Sequence, residues 1–357
     1  MVEFLAVGGG TLLLFPLAWL LRHSVGLDTA EYAVGFTMFH AAHFINDPHF
    51  SVTYLLFYGD ARQRLVDVKL SRAQRTRYWV AGVVVPLLLG VWAACALMFR
   101  AATMLGWMIE LMFLLVGWHY VKQGFGVLTV LSARRGVSFD APDRIVILTH
   151  CFAAWAFAWS NPARGSGEFE EKGVTYWSVA HPAWFEILTA LILFVSTIAL
   201  VVTLWRKWRR DGSLPWTPLV SFLVTIWLWT IYTSVDPLMR YVIPALHSIQ
   251  YLYFVWLMKR NEARAKEAAP TFGPPVATKI SMLAGGALLL GWFLFRGAPA
   301  VMDASIDLGL TSQSSLGTTP FFAAFFVVVN IHHYFMDYVI WRRDNPTTKY
   351  LQHDVAT

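Results

Sequence analysis

The sequence predicts an all-α, polytopic integral membrane protein: about ten transmembrane helices in a single domain, 1–357, with both termini in the cytoplasm. Three observations predict it. The chain is 57% hydrophobic and only 14% charged, with a mean hydropathy of +0.52, whereas soluble domains carry about a quarter charged residues. Its apolar residues gather into runs long enough to cross a bilayer. The basic residues alternate between the segments that separate those runs.

Crossing ~30 Å of hydrocarbon takes roughly 17 to 25 residues. Such runs lie at 4–21, 32–58, 78–98, 102–130, 145–159, 184–205, 216–234, 239–258, 280–297 and 320–341. The first has no basic residue ahead of it and no small-x-small cleavage pattern behind it, which argues against a cleaved signal. Most of the 28 Lys and Arg fall after the second, fourth, sixth and eighth runs and in the tail, about 342–357. Examples are "DARQRLVDVKLSRAQRTR" (60–77), "RKWRR" (206–210) and "KRNEARAK" (259–266). Cytoplasmic loops collect Lys and Arg, and this pattern puts both termini on that side, as in a bacterial inner membrane.

Composition also excludes function classes. The net charge of +6 is spread over short loops and forms no nucleic-acid patch. The two cysteines, Cys95 and Cys151, each sit in an apolar run and read as small core residues. No Walker loop, dinucleotide fingerprint or nucleophile elbow is visible, so electrons for redox chemistry come from the substrate or from an electron-donor protein.

Against this apolar background the histidines stand out. The second run carries His40, His43, Asp47 and His49 within "FHAAHFINDPHF" (39–50). The fourth carries His119 in "GWHYVKQGFG" (117–126), the eighth His247 in "PALHSIQYLYFVW" (244–256), and the tenth His332, His333 and Asp337 in "NIHHYFMDYVIW" (330–341). All four runs cross in the same direction, so depth is measured by counting back from the cytoplasmic end. His49 precedes Asp60 by eleven residues, His247 precedes Lys259 by twelve and His332 precedes Arg342 by ten; His119 lies about as far from its loop. At ~1.5 Å per residue, the four share one layer.

Local spacing refines this picture. His40, His43 and Asp47 share a face if the helix is continuous. Pro48 should break or kink it, a feature tolerated where backbone lines an enclosed cavity. His332 and His333 diverge around their helix, so one of the two faces any common centre. The three glycines of the 117–126 segment suggest close helix packing.

Ionisable groups at membrane depth are costly and default to a functional role. Imidazoles with a carboxylate beside them suit a metal, iron more than Cu(I). Asp47, Asp337, Asn330 and Gln123 are available to orient the ligands. The alternatives are a haem-binding redox protein, with paired axial histidines, and a proton-coupled transporter using the His/Asp cluster with Lys122.

The succession PHF (48–50), HY…G (119–124), LHS followed by aromatics (246–254) and HHYFMD (332–337) resembles the Brp/Blh family of membrane β-carotene 15,15′-dioxygenases. That family carries Pro-His-Gly, His-Phe-Gly, His-x-x-x-His and Pro-His…Asp motifs in successive membrane helices and cleaves β-carotene to retinal with iron and dioxygen. The resemblance implies that His49, His119, His247 and His332 bind iron, with Asp337 as the final acid. Tyr251 stands where the family has the second His of its third motif. "HAAH" and "HHYF" also partly echo the histidine boxes of membrane fatty-acid desaturases and hydroxylases.

The expectation is therefore a membrane oxygenase or oxidase with non-haem iron, mono- or dinuclear, and dioxygen as co-substrate. Its substrate would be lipophilic: an isoprenoid, a carotenoid or a fatty acyl lipid. His40, His43, His49, His119, His247, His332 and His333 are the candidate ligands, and Asp47 and Asp337 ligate or orient.

Overall fold

The computed structural model describes residues 1–67, 70–160, 165–234, 236–267, 271–311 and 313–351. Most of them are helical. Helices α1 (Val2–Gly9) and α2 (Thr11–Val25) meet at 62°. Gly8 makes this corner with φ +130°, a conformation open to a residue without Cβ. The bend frees the carbonyl of Val7, which accepts from Gln250 Nε2 at 2.5 Å and from the Ser221 hydroxyl.

Helix α3 (Leu27–Ala41) leads through a turn at 42–45 into α4 (Asn46–Val66). The break expected near Pro48 thus falls just ahead of it. Pro48 stands in the first turn of α4, where a missing N–H removes no helical hydrogen bond.

Helix α5 (Arg72–Met98) opens on a capping box between Ser71 and Gln74 and passes through a π-helical turn at Val80–Val84. Helix α6 (Ala102–Arg134) runs uninterrupted. Helix α7 (Ala141–Ser160) starts at Asp140, whose Oδ1 accepts from the Asp143 N–H at 2.9 Å. That bond holds the Asp140 carboxyl below the usual carboxylate range. A small antiparallel hairpin follows, β1 (Gly167–Glu171) and β2 (Val174–Ser178), pairing Phe169 with Tyr176. The rest is α8 (Ala183–Asp211), α9 (Trp216–Ile231), α10 (Pro237–Glu267), α11 (Val276–Ser305) and α12 (Pro320–Ile340).

The ten apolar runs fall on these helices, the first bent at Gly8 and the second interrupted at 42–45. By length and composition, α5, α6, α8, α11 and α12 can each cross a membrane, and α1 with α2 makes a sixth if the bent pair is one span. Burial ranks them. The apolar stretch of α12 is 72% buried, that of α8 only 22% and that of α11 17%, so α12 is central and α8 and α11 are peripheral.

Around α12 pack α4, α5 and α6; α10 lies against α3, α4 and α11. Two of the three glycines in 117–126 explain how close the long α6 comes to its neighbours. A Cβ on Gly117 would sit 2.8 Å from Trp155 of α7, and one on Gly124 would sit 3.0 Å from Thr225 of α9.

Candidate metal centre

Four helices send one imidazole each into a single buried cluster: His49 from α4, His119 from α6, His247 from α10 and His333 from α12. Ring centroids are 4.4 Å apart for His49 and His333, 4.9 Å for His119 and His247, and 5.0 Å for His119 and His333. Asp337 joins them one turn after His333. One ligand atom from each of His49, His119, His333 and Asp337 lies within 4.8 Å of the others, and His247 adjoins this group through His119.

The atoms in the middle lie at separations that suit either hydrogen bonds or ligands of one ion. His119 Nε2 and His247 Nε2 are 3.0 Å apart. Asp337 Oδ2 is 3.2 Å from His333 Nε2 and 3.7 Å from His119 Nε2. Two donors about 2.1 Å from one ion lie roughly 3.0 to 3.4 Å apart, depending on the angle between them. His49 Nε2, both nitrogens of His333, His247 Nδ1 and Asp337 Oδ2 are buried with no hydrogen-bond partner. Leaving one such group bare costs about 1–3 kcal/mol, and His49 Nε2, His333 Nε2 and Asp337 Oδ2 belong to the residues whose ligand atoms gather within 4.8 Å, where a cation could satisfy them.

The outer atoms of His49 and Asp337, by contrast, are tethered. His49 Nδ1 meets the Ser248 hydroxyl at 3.2 Å, and Ser248 donates to Asn46 Oδ1 at 2.9 Å. Asp337 Oδ1 accepts from the Tyr251 hydroxyl at 2.7 Å and from Trp341 Nε1 at 3.2 Å. Phe50 lies against His49 and His333, Tyr334 against His119, and Tyr120 against His247. These rings wall the cluster from water.

The other expected site residues lie elsewhere. His332 is turned away from the cluster, with Nε2 2.8 Å from the Ala81 carbonyl in the π turn of α5 and Nδ1 3.0 Å from the Tyr54 hydroxyl. Both of its nitrogens are therefore engaged, and His333 takes the inward position. A common face for His40, His43 and Asp47 needs an unbroken helix, and the chain leaves that helix after Ala41. His40 is exposed, edge-on to Phe36 and Phe39, and His43 packs edge-on to Phe44. Asp47 is buried in the first turn of α4 with Oδ2 3.7 Å from Arg296 Nε.

Among the groups expected to orient ligands, Gln123 bonds to Gln250 and to the His247 carbonyl, and Asn330 to Tyr334 and the Phe326 carbonyl. Lys122 extends over the ring of Phe125.

Thr53, Ser248, Tyr251 and Trp341 have places at the site that composition alone does not suggest. A signal existed for three of them: Thr53, Tyr251 and Trp341 each stand four residues after a cluster member, His49, His247 and Asp337 respectively, and so share its helix face.

No family model, no curated protein and no solved structure matches the chain.

Proposed function

We propose that this protein is a membrane-embedded enzyme that holds one non-haem iron ion between His49, His119, His333 and Asp337, with His247 as a further donor. The observation that carries the reading is the buried group of His49, His119, His333 and Asp337, whose ligand atoms lie within 4.8 Å of one another, with His49 Nε2 and Asp337 Oδ2 lacking any partner. Three neutral imidazoles and one carboxylate form a mixed nitrogen and oxygen set that suits iron. When bound, iron would supply dioxygen activation and one-electron chemistry. The ligand count favours a single ion, because the cluster contributes only one carboxylate and no bridging pair.

The chain's own residues do the rest. Ser248 and Tyr251 hold His49 and Asp337 in place, and Phe50, Tyr120 and Tyr334 exclude water from the reaction space. A groove of about 400 Å³ opens between α2, α3 and α10, lined by Leu14, Ala33, Val34, Met38, Leu246 and Ile249 among others. Leu246 precedes His247, so the groove and the cluster use adjoining faces of α10. An apolar groove of this size supports a lipophilic substrate, such as an isoprenoid, carotenoid or acyl chain, entering from the bilayer. The same reading has ten spans with both termini in the cytoplasm of a bacterial inner membrane. Its support is the placement of Lys and Arg.

A haem reading is less well supported. Axial nitrogens flank a macrocycle, and His119 and His247 at 3.0 Å leave no room for one. Elemental analysis of the detergent-purified protein, with its absorption spectrum, tests the proposal. One iron per chain without a Soret band is expected. A Soret band overturns the non-haem assignment. No bound metal after anaerobic purification overturns the metal reading and moves the cluster to a proton path.

A further inference from the structure

Asp337 is treated differently at its two carboxylate oxygens. Oδ1 accepts from Tyr251 at 2.7 Å and from Trp341 at 3.2 Å, with the Thr53 hydroxyl a more distant neighbour at 3.5 Å. Oδ2 accepts from nothing, although it is buried and lies 3.2 Å from His333 Nε2. A phenol has one proton, and Tyr251 gives it to Asp337. The 2.6 Å contact between Tyr251 and Thr53 is therefore a bond in which the threonine hydroxyl donates. A short relay, Thr53 to Tyr251 to Asp337, ends on the oxygen that faces away from the imidazoles. The Tyr251 ring itself packs edge-on against His49 at 4.5 Å and His333 at 5.6 Å, so one side chain touches the acid and two of the imidazoles.

We infer that Tyr251 is a positioning residue that makes Asp337 a one-oxygen ligand, keeping Oδ1 out of the coordination sphere and presenting Oδ2 to the metal. This rests on the metal reading above. A carboxylate free to chelate takes two positions on an ion; one pinned at Oδ1 takes a single position and leaves the other for a co-substrate. Tyr251 also couples the ligands to each other, since one side chain contacts both rings and the acid.

The test uses the full chain in detergent, loaded with cobalt(II), whose visible bands report coordination number. Affinity is measured by competition with a chelator in wild type, Tyr251→Phe and Asp337→Asn. Hydrogen-bond partners of metal ligands are typically worth 10–100-fold in affinity. Tyr251→Phe should lose affinity in that range, with weaker visible bands as Oδ1 joins the coordination sphere. Asp337→Asn should lose more.

If Tyr251→Phe matches wild type in affinity and spectrum while Asp337→Asn releases metal, the positioning role is overturned and the metal centre stands. If wild type binds no cobalt, the metal centre itself is overturned. Should Tyr251→Phe fail to accumulate, Trp341→Phe removes the other donor to Oδ1 and carries the same test with the same expected direction.

Discussion

His119 and His247 hold their Nε2 atoms 3.0 Å apart, a separation at which two neutral imidazoles share one proton or two ligands share one ion. The distinction has a thermodynamic consequence. A ligand that binds only the folded state stabilises it by about 2.7 kcal/mol at a hundredfold excess over its Kd. Thermal unfolding of chelator-stripped protein should therefore shift upward when iron(II) is returned anaerobically, and His119→Ala should show no shift. An equal shift in both would mean that metal binds elsewhere.

The adjacent pair on α12 gives a sharper contrast. His333 has two buried nitrogens without partners, whereas both nitrogens of His332 are bonded. His333→Ala should abolish metal content while leaving the protein folded. His332→Ala should keep the metal and lower stability by about 1–3 kcal/mol, because the Ala81 carbonyl and Tyr54 hydroxyl lose their partner. Metal content and melting temperature of the two variants check this, and the reverse pattern would overturn it.

Ser248 offers a milder perturbation. Its hydroxyl meets His49 Nδ1 at 3.2 Å, which orients the ring. Ser248→Ala should leave expression unchanged and weaken metal binding by roughly 10–100-fold, as expected for a ligand's hydrogen-bond partner. Chelator competition reads the change directly.

Gly291 of α11 passes against the start of α4, and a Cβ there would lie 2.9 Å from the Asp47 carbonyl carbon. Backbone cannot swing aside as a long side chain does. Gly291→Ala should cost about 1–3 kcal/mol through overpacking and displace the turn that carries His49. A melting temperature equal to wild type would show that α11 and α4 are less tightly apposed.

The groove beside α10 is testable without knowing the substrate. Ala245→Trp places a large side chain in it and leaves every cluster residue unchanged. Native mass spectrometry should show a lipophilic molecule retained by wild type and lost from the variant, with iron content equal in both. Loss of iron as well would mean that the groove and the cluster are not separable.

Depth was the legible part of this site. If the four runs cross in one direction, as the Lys and Arg pattern suggests, counting back from their charged ends places His49, His119, His247 and the 332–333 pair in one layer, and the structure brings one imidazole from each together. Rotation was not legible. The turn at 42–45 has no Gly or Pro within it, since Pro48 comes afterwards and permits a helix start rather than marking its end. The positions of His40 and His43 depend on that turn. Choosing between His332 and His333 depends on a carbonyl exposed by a π turn in another helix, which no residue of α12 announces.

The most buried helix, α12, is also the one encoded latest among those described, and it contributes both His333 and Asp337. A ribosome feeding the membrane therefore delivers His49, His119 and His247 long before the ligand set is complete. Until α12 docks, the place it will fill lies open to lipid or to neighbouring helices. On the proposed metal reading, this order of synthesis makes loading a post-translational event, and a chain shortened ahead of Pro320 would lack both His333 and Asp337.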